Sequence, residues 1–522
     1  MRSSYHRLIT VPALRPLDIK SMKVHGLVPV SNRFSNWKKV GLLLAAGLGQ
    51  GLAFAPFPCR LFAFFTLVPL FWVLEHSRRS FFWGWLFGFW AAAFHLWWLW
   101  FLVVPVEPIT RVLLNIGVVL LFGYFGLYWG LLALGVRRLG LWSAPLLLPL
   151  LEFLKTRGQI AFPWDFLGYA LTPLPVFIQP AALGGVYLLS ALLVLINLLI
   201  YGALFRQQKR TYLAALLAVL ALMLGFGLIR MRQNRHWFDV AIIQPNVSPL
   251  DKGDLNSRER IQADLFRLTQ AAAAGRPALV IFPETATLVD ITHSTEMGPA
   301  LHRLADSLDI EIFTGTPIYD DEHQTWHNGA VLIQPGRPQV VERYYKMRLV
   351  PFSEKIPFSD ELPLIRRLIG TADMGNWARG WLWTVFESRV GPLSGLICYE
   401  AIFPDLAQGF VRRGARLLVV VTNDGWFGWL PGAYQHAELA VLRTVENGVP
   451  MVRSANNGIS FIVDPYGRVL KKTRLFEQTV LSGSVPQPLS STPYRRLGDW
   501  VLLVYPVLLI IGIVIRRRFS AV

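Results

Sequence analysis

The sequence predicts an α-helical membrane bundle of about eight spans that carries one extramembrane α/β domain. Three observations lead there. The 522 residues are 53% hydrophobic and 13% aromatic, and a mean hydropathy of +0.41 is too apolar for an ordinary soluble globule. Long apolar runs fill the first 230 residues and return near the end. Between about 237 and 493 the pattern changes to short β-type runs alternating with amphipathic helices and polar loops.

The apolar segments lie at about 40–56, 59–75, 81–104, 112–136, 142–155, 181–204, 211–229 and 497–515. A span needs about 20 residues to cross roughly 30 Å of hydrocarbon. The runs at 40–56, 59–75 and 142–155 are short for that and read as tilted partners, re-entrant pieces or spans extended by flanking aromatics. The expected layout is a basic tail at 1–39, seven helices in 40–230, the α/β domain at 237–493, a last helix at 497–515 and a basic end at 516–522.

The formal charge of +18 does not mark a nucleic-acid binder, because its placement follows the loops. Arg2, Arg7, Arg15, Lys20, Lys23, Arg33, Lys38 and Lys39, then Arg78-Arg79, Arg137-Arg138, Arg206/Lys209/Arg210 and Arg516-Arg517-Arg518 fall on one side. Pro56-Phe57-Pro58, Pro105-Val106-Glu107-Pro108 and the 158–175 loop fall on the other. This positive-inside pattern puts both termini in the cytoplasm and the α/β domain outside it. Arg230, Arg232 and Arg235 break the pattern where a long domain begins. Ala53-Phe54-Ala55 resembles a signal-peptidase site, but the long preceding tail and the continuing spans make the first helix an uncleaved one. The two cysteines, Cys59 and Cys398, suggest neither a disulfide framework nor a metal site.

In the α/β domain, β-type runs occur at Phe238–Ile243, Ala278–Phe282, Ile310–Thr314, Gly329–Ile333, Val340–Arg343, Leu393–Ile397, Leu417–Val421, Met451–Ser454 and Ile459–Val463. Helical patterns lie at about 256–274, 297–308, 404–413 and 433–447. Strands alternating with helices place chemistry at strand ends. Three polar residues stand there. Phe282-Pro283-Glu284 ends one strand on a carboxylate, Tyr344-Tyr345-Lys346 another on an ammonium, and Gly395-Leu396-Ile397-Cys398-Tyr399-Glu400 a third on a thiol. Each alone has an ordinary explanation: a helix-capping acid, a solvated lysine, a small core residue. Together they are a base, an oxyanion partner and a nucleophile. His327 and His436 read as ordinary hydrogen-bonding residues without a catalytic role.

The order Phe-Pro-Glu284, Tyr-Tyr-Lys346, Ile-Cys398-Tyr-Glu400 resembles the Glu-Lys-Cys triad of the carbon–nitrogen hydrolase (nitrilase) superfamily. The likeness continues through Thr422–Gly428, Gln435-His436, Arg443, Glu446-Asn447-Gly448 and Arg453–Gly458. Such a domain set before the last of eight spans resembles the apolipoprotein N-acyltransferases. The resemblance implies an extracytoplasmic αββα sandwich in the bacterial inner membrane, catalysis by Glu284, Lys346 and Cys398, and support from Glu354, Tyr399, Glu400 and Asn246. It also implies a monomer without cofactor or metal. The implied acyl donor is a phospholipid, phosphatidylethanolamine, and the acceptor is a diacylated apolipoprotein. One departure stands out: where the family often has Lys-Trp, this chain has Lys252-Gly253.

Rival readings are a membrane-tethered amidase or nitrilase for a small C–N substrate, a silent scaffold and a transporter. The first gives no reason for eight spans, the second none for an intact triad, and the third conflicts with the few charges in the spans. Trp97-Trp98-Leu99-Trp100 and Phe162-Pro163-Trp164 read as an interface belt rather than a lining for acyl chains.

Overall fold

The α/β domain is two six-stranded sheets packed face to face between helices. The computed structural model describes residues 35–104, 107–248, 251–252, 255–337, 339–359, 361 and 377–520. In the first sheet the strand order is β12-β1-β2-β3-β4-β5, where β1 is His236–Gln244, β2 Leu279–Ile281, β3 Glu311–Asp320, β4 Thr325–Ile333, β5 Arg343–Tyr345 and β12 Thr479–Pro486. The second runs β11-β10-β9-β8-β7-β6, with β6 Val385–Phe386, β7 Leu393–Ile397, β8 Leu417–Thr422, β9 Met451–Ala455, β10 Phe461–Val463 and β11 Val469–Lys472.

Period-two alternation builds the layers. In β1, Val240 and Ile242 face the second sheet, whereas Ala241 and Ile243 pack with Leu265, Leu301 and Ala305 of the covering helices Arg258–Ala273 and Met297–Leu308. The parallel pairs β1–β2, β2–β3, β7–β8 and β8–β9 align their C-terminal ends, as the strand-end argument requires. The second sheet is covered by helices Pro404–Arg412 and Pro431–Asn447.

The helical part is uneven. Among the described residues, three helices are long and apolar enough to cross a membrane: Pro108–Leu139, Ala181–Phe205 and Lys209–Arg230. The segment expected at 59–75 is a 3-10 turn, Arg60–Phe64, followed by a short helix, Val68–Glu75. That expected at 81–104 is α-helical only over Ser80–His95, with a 3-10 turn at Trp97–Phe101, and 142–155 holds the helix Ala144–Leu154. Segment 40–56 is helical only as far as Leu52, within Asn36–Leu52, and Val501–Ser520 carries Arg516–Arg518 near its end. Hydropathy marks an apolar run but not the turn that divides it.

Helix Ala181–Phe205 is interrupted at Gly184 and Gly185, the latter with φ +68°, a conformation glycine adopts without a Cβ penalty. The break frees the N–H of Val186, which donates to Glu446 Oε1 at 3.0 Å from helix Pro431–Asn447. Arg443 Nη2 donates to the same oxygen at 2.9 Å, and its Nη1 to the Ile402 carbonyl at 3.0 Å. Glu446 and Arg443 are both wholly buried. Burial pushes Glu446 up to about 7, against the pull of Arg443. One carboxylate thus caps a helix in one part of the chain and pairs a guanidinium in the other. Glu446→Ala strands a buried cation and an N–H, and is expected to cost about 3–5 kcal/mol; a thermal unfolding midpoint of the purified protein measures it.

Candidate active site

Each functional side chain is delivered by the end of a strand. Glu284 follows β2 by three residues, Lys346 follows β5 directly and Cys398 follows β7 directly. The structure brings the expected Glu284, Lys346 and Glu354 into one buried network. Lys346 Nζ lies 2.8 Å from Glu354 Oε1 and 3.3 Å from Glu284 Oε1, with Lys346 wholly buried. Burial alone pulls its ammonium down, but the Glu354 and Glu284 carboxylates more than reverse that and hold Lys346 well above its usual range. Two of its three hydrogens face these carboxylates, which leaves one for a third acceptor.

Glu284 is fixed at both oxygens. Oε1 also accepts from Asn328 Nδ2 at 2.7 Å, and Oε2 from the Asn423 N–H at 2.9 Å. Asn328 Nδ2 reaches Glu354 Oε1 at 2.9 Å as well, so it bridges the two carboxylates. Glu354 Oε2 accepts from the Val350 N–H at 2.9 Å. Lys252 Nζ donates to the Glu284 carbonyl at 2.9 Å, and burial lowers that ammonium to about 8.

The half-buried Cys398 occupies a sharp elbow with φ +53°, uncommon for a residue with a Cβ. Burial, then the Glu284 charge, push its thiol well above the usual range, with Lys346 opposing. Cys398 therefore rests as the thiol, and a thiol in this setting would need a base to act as a nucleophile.

Glu400 braces the elbow. Its Oε2 accepts from the Ile397 N–H at 2.8 Å, and its Oε1 from Met347 N at 2.6 Å, Arg348 N at 3.1 Å and Tyr344 Oη at 2.8 Å. One carboxylate thereby ties the segment after Lys346 to the strand before Cys398. Tyr399 points away from the triad: its hydroxyl donates to the Ala161 carbonyl and its ring stacks on Phe162 at 6.1 Å. Asn246 (φ +54°) is not part of the network either; its Nδ2 donates to the Phe476 carbonyl at 2.9 Å. Gly253 lies outside the described residues.

A Cβ on Gly315 in β3 would stand 2.6 Å from Glu284 Cα and 2.8 Å from the Pro283 carbonyl oxygen. Backbone cannot swing aside as a side chain can. Gly315→Ala is expected to displace Glu284 and to lower kcat about 100-fold, with a smaller change in KM; steady-state kinetics would show it.

Trp100 is 37% exposed, but the belt reading fails for Trp98 and Trp164. They are 1% and 2% exposed, and both indole N–H groups donate to Gln435 Oε1, at 3.0 and 2.8 Å. Gln435 Nε2 donates in turn to the Ala55 and His95 carbonyls at 3.1 and 3.2 Å. These rings dock the α/β domain on the helical part. Sequence reasoning also gave no role to Asn328 or Lys252. Asn328 had a signal: a polar His327-Asn328 pair at the edge of an apolar strand. No three His, Cys, Asp or Glu side chains among the described residues could hold a metal ion.

The carbon–nitrogen hydrolase family matches residues 239–494, and the apolipoprotein N-acyltransferase N-terminal domain matches residues 46–199. An apolipoprotein N-acyltransferase of Geobacter metallireducens is 33% identical over 444 residues, which are 81% of this chain and 84% of that one. The chain belongs to the apolipoprotein N-acyltransferase family. The relative bearing that name in Azotobacter vinelandii is 31% identical over 515 residues, 92% of this chain and 96% of its own. A solved amidase from Nesterenkonia sp. is 20% identical and overlies 49% of this chain and 92% of its own, with a TM-score of 0.38. In this member of the apolipoprotein N-acyltransferase family the Trp98–Gln435–Trp164 contact joins the two matched segments.

Proposed function

We propose that the chain transfers an acyl chain from a phospholipid to the α-amine of an apolipoprotein's diacylglyceryl-cysteine, through a thioester on Cys398. The observation that carries this reading is the strand-end set of Glu284, Lys346 and Cys398, docked on apolar helices in a chain of this family. In the first step Glu284 takes the Cys398 proton and the sulfur adds to the sn-1 ester carbonyl. Lys346, with its remaining hydrogen, and the Tyr399 peptide N–H hold the tetrahedral oxyanion. The bond between the acyl carbonyl carbon and the glycerol oxygen breaks, Glu284 returns the proton to that leaving oxygen, and lysophospholipid departs. In the second step the amine attacks the thioester carbonyl and Glu284 accepts the amine proton. The C–S bond then breaks, and the proton goes back to the sulfur.

Both substrates are lipids, and drawing an acyl chain out of a bilayer costs about 0.8 kcal/mol per CH₂. A site seated on a membrane base avoids that cost. The reading takes the chain as a monomer of the bacterial inner membrane, with about eight membrane segments, the shorter helices completing the bundle. Both termini are then cytoplasmic and residues 237–493 are periplasmic. The charge alternation of the loops supports this orientation. The donor is taken as phosphatidylethanolamine.

The test is purified protein with phosphatidylethanolamine labelled in the sn-1 chain and a diacylglyceryl-cysteine peptide, read by mass spectrometry. The label is expected on the peptide amine. Free labelled fatty acid at the same rate with and without peptide would favour a hydrolase instead.

A further inference from the structure

Beside the nucleophile stands a buried cluster that the reaction steps above do not use. Helix Pro431–Asn447 carries His436, whose Nε2 lies 3.1 Å from the carbonyl oxygen of Cys398. A carbonyl oxygen only accepts, so Nε2 holds a hydrogen in the neutral ring and in the charged one alike. Nδ1 stands 2.9 Å from Asp424 Oδ1 and 3.1 Å from Arg453 Nη2, and Arg453 Nη2 donates to Asp424 Oδ2 at 2.7 Å. Trp164 stacks on the imidazole with centroids 5.5 Å apart. His436, Asp424, Arg453 and Trp164 are all at most 2% exposed.

Burying two charges and an imidazole is costly when apolar side chains would fill the same space. The cluster touches the nucleophile at one place, the Cys398 carbonyl. That carbonyl belongs to the same planar peptide unit as the Tyr399 N–H, and in a trans peptide the two point in opposite directions. A donor that pins the oxygen on one side therefore aims the N–H at the other. It also polarises the amide, and such coupling strengthens the next hydrogen bond by about 10–30%.

We propose that His436 is a positioning residue for acylation, which holds the Cys398–Tyr399 peptide so that its N–H meets the oxyanion. The proposal rests on the thioester reading above. Asp424 and Arg453 fix the ring from behind, and Trp164 makes its orientation depend on docking of the helical part. His436 touches no substrate and moves no proton.

The experiment compares two reactions of Cys398 in the full-length protein and in His436→Phe, His436→Leu and His436→Gln. Alkylation by iodoacetamide forms no carbonyl oxyanion; acylation by a p-nitrophenyl ester does. For His436→Phe we expect acylation kcat to fall about 100-fold, KM to stay within about twofold and alkylation to stay within about twofold. His436→Gln, which regains an N–H donor, should recover most of the loss. His436→Leu makes the same comparison with a smaller side chain should the phenyl ring disturb folding. An equal fall in both reactions, or in neither, overturns the proposal. The aryl ester reports on the thiol whatever lipid it serves. A wild-type protein acylated by the ester but not by phospholipid contradicts the lipid reading and leaves this proposal standing.

Discussion

Cys398→Ser is expected to abolish N-acylation, by on the order of 10⁴-fold or more, while the protein stays inserted and folded. On the thioester reading the loss is large, because Cys59, the other cysteine of the chain, lies in the helical part beside the Arg60–Phe64 turn. Folding survives because the substitution exchanges one small half-buried atom for another, and because Glu400 and the Ile397 N–H keep the elbow at 2.8 Å whether or not sulfur is present. A hydroxyl at this position is a far weaker acid than the thiol it replaces, and the surrounding burial already opposes a negative charge there. Transfer of label to the peptide, together with the thermal midpoint, separates lost chemistry from lost structure.

Lys346→Met is expected to remove at least about 10³-fold of the activity and also to destabilise the protein. In the native site one ammonium serves Glu354 at 2.8 Å and Glu284 at 3.3 Å, and Asn328 alone would then join the two carboxylates. Two buried carboxylates this close cannot both stay charged, so one takes up a proton. Either outcome harms catalysis: a protonated Glu284 is no base, and the oxyanion has lost its cation. Leaving a buried charge unpaired costs about 3–5 kcal/mol. Adding Glu354→Gln removes the extra charge. The double variant should regain most of the stability and none of the activity, a non-additivity expected only of residues sharing one network. Parallel recovery of both would mean that Lys346 acts only as a structural counter-ion.

What was legible in the sequence was which polar residues stand at strand ends. Leu393–Ile397 has the bounds the apolar run suggests, and Cys398 follows it at once. Lys346 follows its strand too, although that strand is Arg343–Tyr345 rather than Val340–Arg343. Asn328 escaped because the neighbouring strand was expected to begin at Gly329, which left Asn328 outside; the strand begins at Thr325. The long β3–β4 hairpin, which pairs Asp320 with Thr325, carries few apolar residues at its tip and gave no periodic signal there.

The docking of the two parts was not legible at all. Trp98 meets Gln435 across 337 positions and Trp164 meets it across 271, and no local pattern encodes a partner so distant. An aromatic cluster at a membrane edge looks the same whether it faces lipid or protein, and only the buried amide of Gln435 decides. His436 was read as an ordinary hydrogen-bonding residue for a related reason. Its significance lies in the Cys398 carbonyl it meets, and a backbone oxygen leaves no mark in the sequence.

The most direct test of the account is a covalent one. Purified protein is incubated with phosphatidylethanolamine labelled in the sn-1 chain, without acceptor, quenched in acid and digested, and the peptide holding Cys398 is weighed. The account predicts one acyl chain on Cys398, removed by neutral hydroxylamine, absent from Glu284→Gln and discharged on adding diacylglyceryl-cysteine peptide. A peptide that stays unmodified while N-acylated product accumulates would contradict it.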